Sequence, residues 1–285
     1  MSKEVAMEFV TRGVTLHYRR WWLEEASGVV VISHGLGEHS GRYRELAEEL
    51  NRAGYSVYAL DHYGHGLSEG KRGHIEDFAL YSEDLNEFVA LVRSGNPGLN
   101  LHLLGHSMGA VIACGCAIRY KSVDSLNLSA PGFRGKSEPR GLLLWFALFS
   151  ARWFPGLVLS SQINSHWVSR DPEVVKNYIS DDLVHHGVSL RWFETFLRER
   201  EFLSSQLGRV TVPCLLLLPE SDRIVDAELS RKWFGRMSSK NKQLHCFPRS
   251  YHEVFNEVEE GRLARELLLS HLNSVSAERT AVTQG

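Results

Sequence analysis

Apolar and polar positions along the chain follow two periods. Residues 5–22 alternate at period two. The stretch Phe9-Val-Thr-Arg-Gly13-Val-Thr-Leu-His-Tyr18 turns back at Arg12-Gly13, which predicts a hairpin. Val29-Val-Val-Ile-Ser-His34 is an unbroken β-branched run, the pattern of a strand buried on both faces of a parallel sheet. A helix over 41–52 stopped at Gly54, a strand over 55–61 and a helix over 77–92 follow. That second helix carries apolar residues at 78, 81, 85, 88, 89 and 92. Next come a strand from Leu101, a helix over 107–120 and a strand over 123–129. Alternation then stops. Residues 133–206 read as largely helical, with no convincing strand. It resumes with a strand over 212–218, a helix over 227–237, a strand over 242–247 and a helix over 259–272. The polar tail 273–285 is expected to fray.

Strand–helix repetition, interrupted once and resumed, predicts an α/β fold: a mostly parallel sheet with helices on both faces. The expected organisation is a core of residues 1–132 and 207–285, with residues 133–206 inserted as a helical cap over the carboxyl edge of the sheet. Functional loops gather at that edge.

One strand–helix junction carries the sequence Gly105-His-Ser-Met-Gly109, a G-x-S-x-G pattern. A strand, a tight turn and a helix would lift the Ser107 hydroxyl above the sheet, with glycines where side chains would collide with neighbouring backbone. A serine nucleophile needs a base, and the base needs a carboxylate to fix its tautomer. In this arrangement the order is serine, acid, histidine. Six histidines follow residue 107. Those at 166, 185 and 186 fall in the cap, His245 in a strand and His271 deep in the last helix. His252 alone follows the final strand in a loop, so it is the expected base. Asp222, just past the 212–218 strand, is the expected acid. Asp226 is a rival, although it is placed to cap the next helix, and Glu220 is a weaker one. The oxyanion hole is assigned to the backbone N–H groups of Met108, after the nucleophile, and Leu36, in the glycine-bearing loop His34-Gly-Leu-Gly37.

The chain has 285 residues and a formal net charge of −2, without a long basic run, so no nucleic-acid partner is expected. The N-terminus lacks an apolar core of signal-peptide length. The four cysteines (114, 116, 214 and 246) sit in apolar sequence without metal-ligand spacing, and are read as buried free thiols of a reducing cytosol. The sequon Asn127-Leu-Ser129 falls in a core strand and is discounted. Histidines 34, 39, 62, 65 and 74 lack the i, i+4 spacing of zinc enzymes. No metal is expected there, and they are assigned to hydrogen bonds with loop backbone.

Together these motifs resemble the monoacylglycerol lipase family of the α/β-hydrolase fold. They are Ser33-His-Gly-Leu-Gly-Glu-His-Ser-Gly-Arg-Tyr43, Asp61-His-Tyr-Gly-His-Gly-Leu-Ser-Glu-Gly70, Gly105-His-Ser-Met-Gly109, and Asp222 with Tyr251-His252. Arg72-Gly-His-Ile75 with Phe78 adds to the likeness, which spans about residues 10–272. Ala110 stands where a second glycine is usual, and Pro219 where a glycine is usual before the acid. The resemblance implies a serine esterase with no cofactor, cleaving fatty-acyl monoesters of glycerol through an acyl-enzyme on Ser107. It also implies that Glu38, Arg42 and Tyr178 shape a glycerol pocket. A lysophospholipase with the same triad is the first alternative, its headgroup held by Arg134, Lys136, Arg140, Arg170 and Lys176. Acyl transfer to another alcohol, broader carboxylesterase activity and a non-catalytic binding role are further alternatives. The apolar stretch 141–161 contains Arg152 and Pro155-Gly156 and is not expected to span a bilayer. It reads either as a cap helix packed on the core or as an exposed lip that admits lipid and touches membranes. The expected location is cytoplasmic, including the periphery of a membrane. Oligomeric state is left open.

Overall fold

A computed structural model of the protein describes residues 3–161 and 163–283. Its centre is an eight-stranded sheet. The strands are β1 (Val5–Thr11), β2 (Val14–Trp21), β3 (Gly28–Ser33), β4 (Tyr55–Leu60), β5 (Leu101–His106), β6 (Ser125–Ser129), β9 (Cys214–Pro219) and β10 (Lys242–Phe247). Their order is β1-β2-β4-β3-β5-β6-β9-β10, and β2 alone pairs antiparallel to its neighbours. This is the mostly parallel α/β-hydrolase sheet expected. The hairpin turns where anticipated: Arg12 and Gly13 both take positive φ (49° and 77°), the left-handed pair of a two-residue β-turn. Arg12 then reaches across to Asp84 with two bonds of 2.7 Å.

The unbroken run in β3 has a direct physical reading. Val29 and Val31 enter the apolar cluster on one face, with Phe78, Tyr81 and Val111. Val30 and Ile32 enter the cluster on the other, with Leu46, Leu50 and Leu268. Period-two alternation and burial on both faces together leave no polar position between Val29 and Ile32. Each such side chain contributes about 1.5–3 kcal/mol on burial. Helices α2 (Ala79–Ser94) and α3 (Met108–Tyr120) cover the first face, while α1 (Arg44–Arg52) and α8 (Glu260–Thr283) cover the second.

Three expectations need correction. Helix α8 does not stop at 272. Leu268, Leu272 and Val275 continue one buried stripe at helical spacing, and Asn273 accepts a 2.7 Å bond from the Tyr55 hydroxyl. Polar composition concealed this anchorage; residues 284–285 of the supposed tail lie outside the described residues. The cap does contain strands, β7 (Val158–Ser160) and β8 (Gly187–Ser189), paired antiparallel. At three residues each they are too short to show a period. Cys246 is exposed on β10, whereas Cys114, Cys116 and Cys214 are buried; all four are free thiols.

The cap helices are α4 (Gly141–Trp153), α5 (Pro172–Ser180) and α6 (Leu190–Gln206). Helix α6 lies against α3. Its Trp192, Phe196 and Leu203 join the main apolar cluster, and Glu199 takes a bidentate pair from Arg119. Helix α7 (Ala227–Gly235) returns the chain to the sheet.

Candidate active site

Between β5 and α3 the backbone of Ser107 adopts φ 52° and ψ −117°, a strained conformation for a side-chain-bearing residue. Two glycines make the turn feasible. A Cβ on Gly105 would lie 2.5 Å from the Gly109 carbonyl oxygen, and one on Gly109 would lie 2.0 Å from that of Ser33. Helix α3 therefore starts in backbone contact with the end of β3. Ser107 N–H donates to Ser129 O (3.0 Å), and Gly132 N–H donates to Ser107 O (3.0 Å), which holds the strained residue from both sides.

Asp222 follows β9 and His252 follows β10, and the parallel pairing of these strands brings the two loops together. His252 Nδ1 donates to Asp222 Oδ2 at 2.7 Å. The other carboxylate oxygen accepts from Ile224 N–H (2.7 Å) and Val225 N–H (3.0 Å). Burial alone would raise the Asp222 pKa, but His252 and these N–H groups outweigh it and hold the group below the ordinary carboxylate range. Burial likewise opposes protonation of His252, but the Asp222 charge and hydrogen bond prevail and raise its pKa above the usual value. With Nδ1 committed, Nε2 is the nitrogen left to face Ser107, and both residues line one small cavity. Neither rival acid reaches His252. Glu220 pairs with Arg231 (2.6 Å), and Asp226 caps α7 at Leu229 N–H (2.9 Å) while pairing with Arg134.

The loop after β3 is held just as firmly. The Gly35 N–H donates to Glu38 Oε1 (2.6 Å), which also accepts from the Tyr43 hydroxyl (2.7 Å). His34 Nε2 accepts from His62 N–H (3.0 Å), so its Nδ1 carries the proton and donates to Gly35 O (2.8 Å). Gly37 has φ +76° and leaves no room for a Cβ, which would sit 2.2 Å from the His185 carbonyl oxygen; His185 N–H in turn donates to Gly37 O (2.9 Å). The cap thus rests directly on this loop. Leu36 and Met108 line the same cavity as Ser107. Of the five clustered histidines, His34, His39 and His65 bond loop backbone as expected, His39 Nδ1 accepting from Gly41 N–H (3.1 Å) while its Nε2 bonds Asp181. His62 and His74 instead bond the side chains of Ser33 and Ser189.

Glu38, Arg42 and Tyr178 do converge beside Ser107, but they are bound to one another and to a residue that the sequence did not single out. Arg42 donates to Glu38 (2.9 Å) and forms a bidentate pair with Glu253 (2.6 and 2.9 Å), while its guanidinium lies 4.6 Å over the Tyr178 ring. The Glu38 pKa is lowered to about 2: burial opposes this, but Arg42, His106, His34 and the Tyr43 hydrogen bond together outweigh it. Neighbouring His106 is lowered to about 4, first by burial and then by His252. The one sequence signal for Glu253 was its position next to His252.

A cavity of about 210 Å³ opens at Ser107 and runs beneath the cap. Its walls are mainly apolar and include Ile163, Trp167, Val188, Phe193 and Phe196. The cap cations singled out for a phospholipid headgroup do not line it. Arg134 is paired with Asp226, Lys136 donates to Asp222 O (2.5 Å), and Lys176 pairs with Glu173 (3.5 Å).

A strained serine between β5 and α3, with an Asp–His pair from the last two sheet loops beside it, defines a serine hydrolase of the α/β-hydrolase fold. Comparison with known proteins narrows the class. The family model described as serine aminopeptidase, S33, matches residues 24–259. The chain is 34% identical over 266 residues to a monoacylglycerol lipase of Mycolicibacterium smegmatis, covering 91% of this chain and 95% of that one. It is 31% identical over 267 residues to a monoglyceride lipase of Rattus norvegicus, covering 92% and 87%. The crystal structure of a monoacylglycerol lipase of Paleococcus ferrophilus superposes with a TM-score of 0.83 at 33% identity, covering 91% of this chain and 99% of that one. The chain belongs to the monoacylglycerol lipase family of α/β-hydrolases.

Proposed function

We propose that this protein hydrolyses fatty-acyl monoesters of glycerol, with Ser107 as nucleophile, His252 as general base and Asp222 as the acid that orients it. His252 takes the Ser107 proton as the hydroxyl oxygen attacks the ester carbonyl. The Leu36 and Met108 N–H groups stabilise the oxyanion. His252 then protonates the departing glycerol oxygen, and water cleaves the acyl-enzyme by the same path. The observation that carries this reading is the cavity at Ser107. It is mainly apolar and suits an acyl chain, at about 0.8 kcal/mol per buried methylene. A smaller cavity that also reaches Ser107 is lined by the buried side chains of Glu38, Tyr178 and Glu253, which suit an alcohol.

The protein meets its substrate at a lipid surface. Helix α4 turns Ala147 toward the cavity and leaves Leu142, Trp145, Phe146, Phe149 and Trp153 exposed, Leu142 by 70%. A helix with the acyl cavity beneath it and an apolar face in solvent is suited to lying in a membrane interface. Among the described residues no helix is long and apolar enough to cross a membrane. The domain reading follows from the same division: residues 133–206 form the cap, and the remainder is the core that holds the triad.

The reading is tested by assaying the wild type and Ser107→Ala on a monoacylglycerol and on a short nitrophenyl ester. The variant is expected to lose at least about 10⁴-fold in kcat on both. Retained turnover removes Ser107 from the mechanism, and a wild type active only on the nitrophenyl ester removes the glycerol substrate.

A further inference from the structure

The floor of the small cavity beside Ser107 is lined by two anions, Glu38 and Glu253, and the cation Arg42 bridges them from an adjoining cavity. Arg42 lies between Glu38 and Glu253, and the side chains of all three are at most one-tenth exposed. Its Nη1 contacts both carboxylates, its Nη2 contacts Glu253 again, and its face is covered by the Tyr178 ring. Glu253 is further held by the Asn256 amide, which donates to Oε2 (2.8 Å). Glu38 is held by the Gly35 N–H and the Tyr43 hydroxyl. Three N–H groups of the arginine are therefore claimed by carboxylates. The floor as a whole is negative and rich in hydrogen-bond acceptors, since carboxylates accept and cannot donate.

We infer that Glu253 is a specificity-determining residue, which makes the leaving-group pocket accept neutral, hydroxyl-bearing alcohols and reject phosphate-bearing headgroups. The inference rests on the monoester reading above and sharpens it. A glycerol hydroxyl can donate to the free lone pairs of Glu38 or Glu253. A phosphate monoester brings between one and two negative charges into a buried site whose net charge is already negative. It would have to compete with both carboxylates for Arg42. Without Glu253 two N–H groups of the same arginine would be released beside the pocket, and the Glu38–Arg42 pair that remains would be neutral. A like charge built into a pocket discriminates by repulsion, without contact to the accepted substrate. Glu253 faces Arg42, Asn256 and, across the small cavity, His106 and His252. His106 is lowered to about 4 by burial and by His252, so it brings no compensating charge near neutral pH.

The experiment compares kcat/KM for a monoacylglycerol and for the acyl glycerol phosphate of the same chain length, in wild type, Glu253→Gln and Glu253→Asp. Wild type is expected to prefer the neutral ester by at least about 100-fold. Glu253→Gln should narrow that preference about tenfold, and Glu253→Asp, which keeps the charge, should retain most of it. A measurement on the wild type alone serves if the glutamine variant does not fold: free glycerol should slow fluorophosphonate labelling of Ser107, while glycerol 3-phosphate at equal concentration should not. Equal cleavage of both esters, or protection by glycerol 3-phosphate at least as strong as by glycerol, overturns the inference and leaves monoester hydrolysis standing. No cleavage of the monoacylglycerol, with the nitrophenyl ester still turned over, overturns both.

Discussion

Helices α3 and α4 are each thirteen residues long and strongly apolar, yet eleven residues of α3 are buried and only Ala151 of α4 is. Helix α3 is enclosed by β3, β5, α2 and α6, and Ser107 stands at its N-terminus. Helix α4 covers the cavity at Ser107 with one edge and leaves its aromatic residues uncovered. One wall of the site is rigid, hydrogen-bonded and strained. The other has little but apolar surface. The difference separates chemistry from substrate capture: substitutions on the α3 side should change kcat or folding, and substitutions on the α4 side should change the encounter with lipid.

The largest effect expected within this comparison is Asp222→Asn, which should lower kcat by about 10⁴-fold through loss of the tautomer and of charge stabilisation. The pH profile carries a signed companion. In wild type Asp222 raises the His252 pKa, and the base must be neutral to act. Wild-type kcat/KM should therefore rise with pH through an apparent value above the ordinary histidine value of about 6.5. In the asparagine variant burial is no longer opposed, and the midpoint of the residual activity should move to lower pH. A midpoint that stays in place would break the assignment.

Gly109→Ala should come next. Its Cβ would meet the Ser33 carbonyl oxygen at 2.0 Å, a backbone atom unable to yield without moving β3. A loss of about 1–3 kcal/mol in denaturant unfolding is expected, with activity falling alongside. A fully stable and active alanine variant would show that α3 can withdraw from the sheet.

The smallest effect on the isolated protein belongs to the other wall. Trp145→Ser with Phe149→Ser removes a stacked pair, its rings 5.3 Å apart, that lies half in solvent. Stability should change by about 0.5 kcal/mol or less per site. Co-sedimentation with phospholipid vesicles should fall several-fold, and turnover of a short water-soluble ester should be retained. Unchanged vesicle association combined with a shift from dimer to monomer would assign the exposed face to a second copy of the chain.

Much of this molecule was legible before its tertiary structure was in view. The order Ser107, Asp222, His252 followed from where loops must fall relative to strands, and His252 remained after five other histidines were placed in elements or in the cap. The structure puts those residues where that reasoning expected them. What escaped had a physical reason each time. β7 and β8 are too short for a period to appear. The end of α8 is secured by buried Val275 and by Asn273, which accepts from Tyr55 more than two hundred residues away in sequence. Glu253 was passed over because a carboxylate beside a histidine is unremarkable until its partner is known.

The sequence by itself determined the strand–helix period, the elbow and the order of the loops that carry Ser107, Asp222 and His252. These depend on local sterics and on the alternation of side chains, both written into neighbouring residues. The tertiary structure alone decided that the apolar α4 stays uncovered, that the cap rests on Gly37 through His185, and that Arg42 is claimed by Glu253. Such outcomes depend on which distant surfaces meet. No local pattern states whether an apolar face will find a partner, or which distant carboxylate will join a near one on a buried guanidinium.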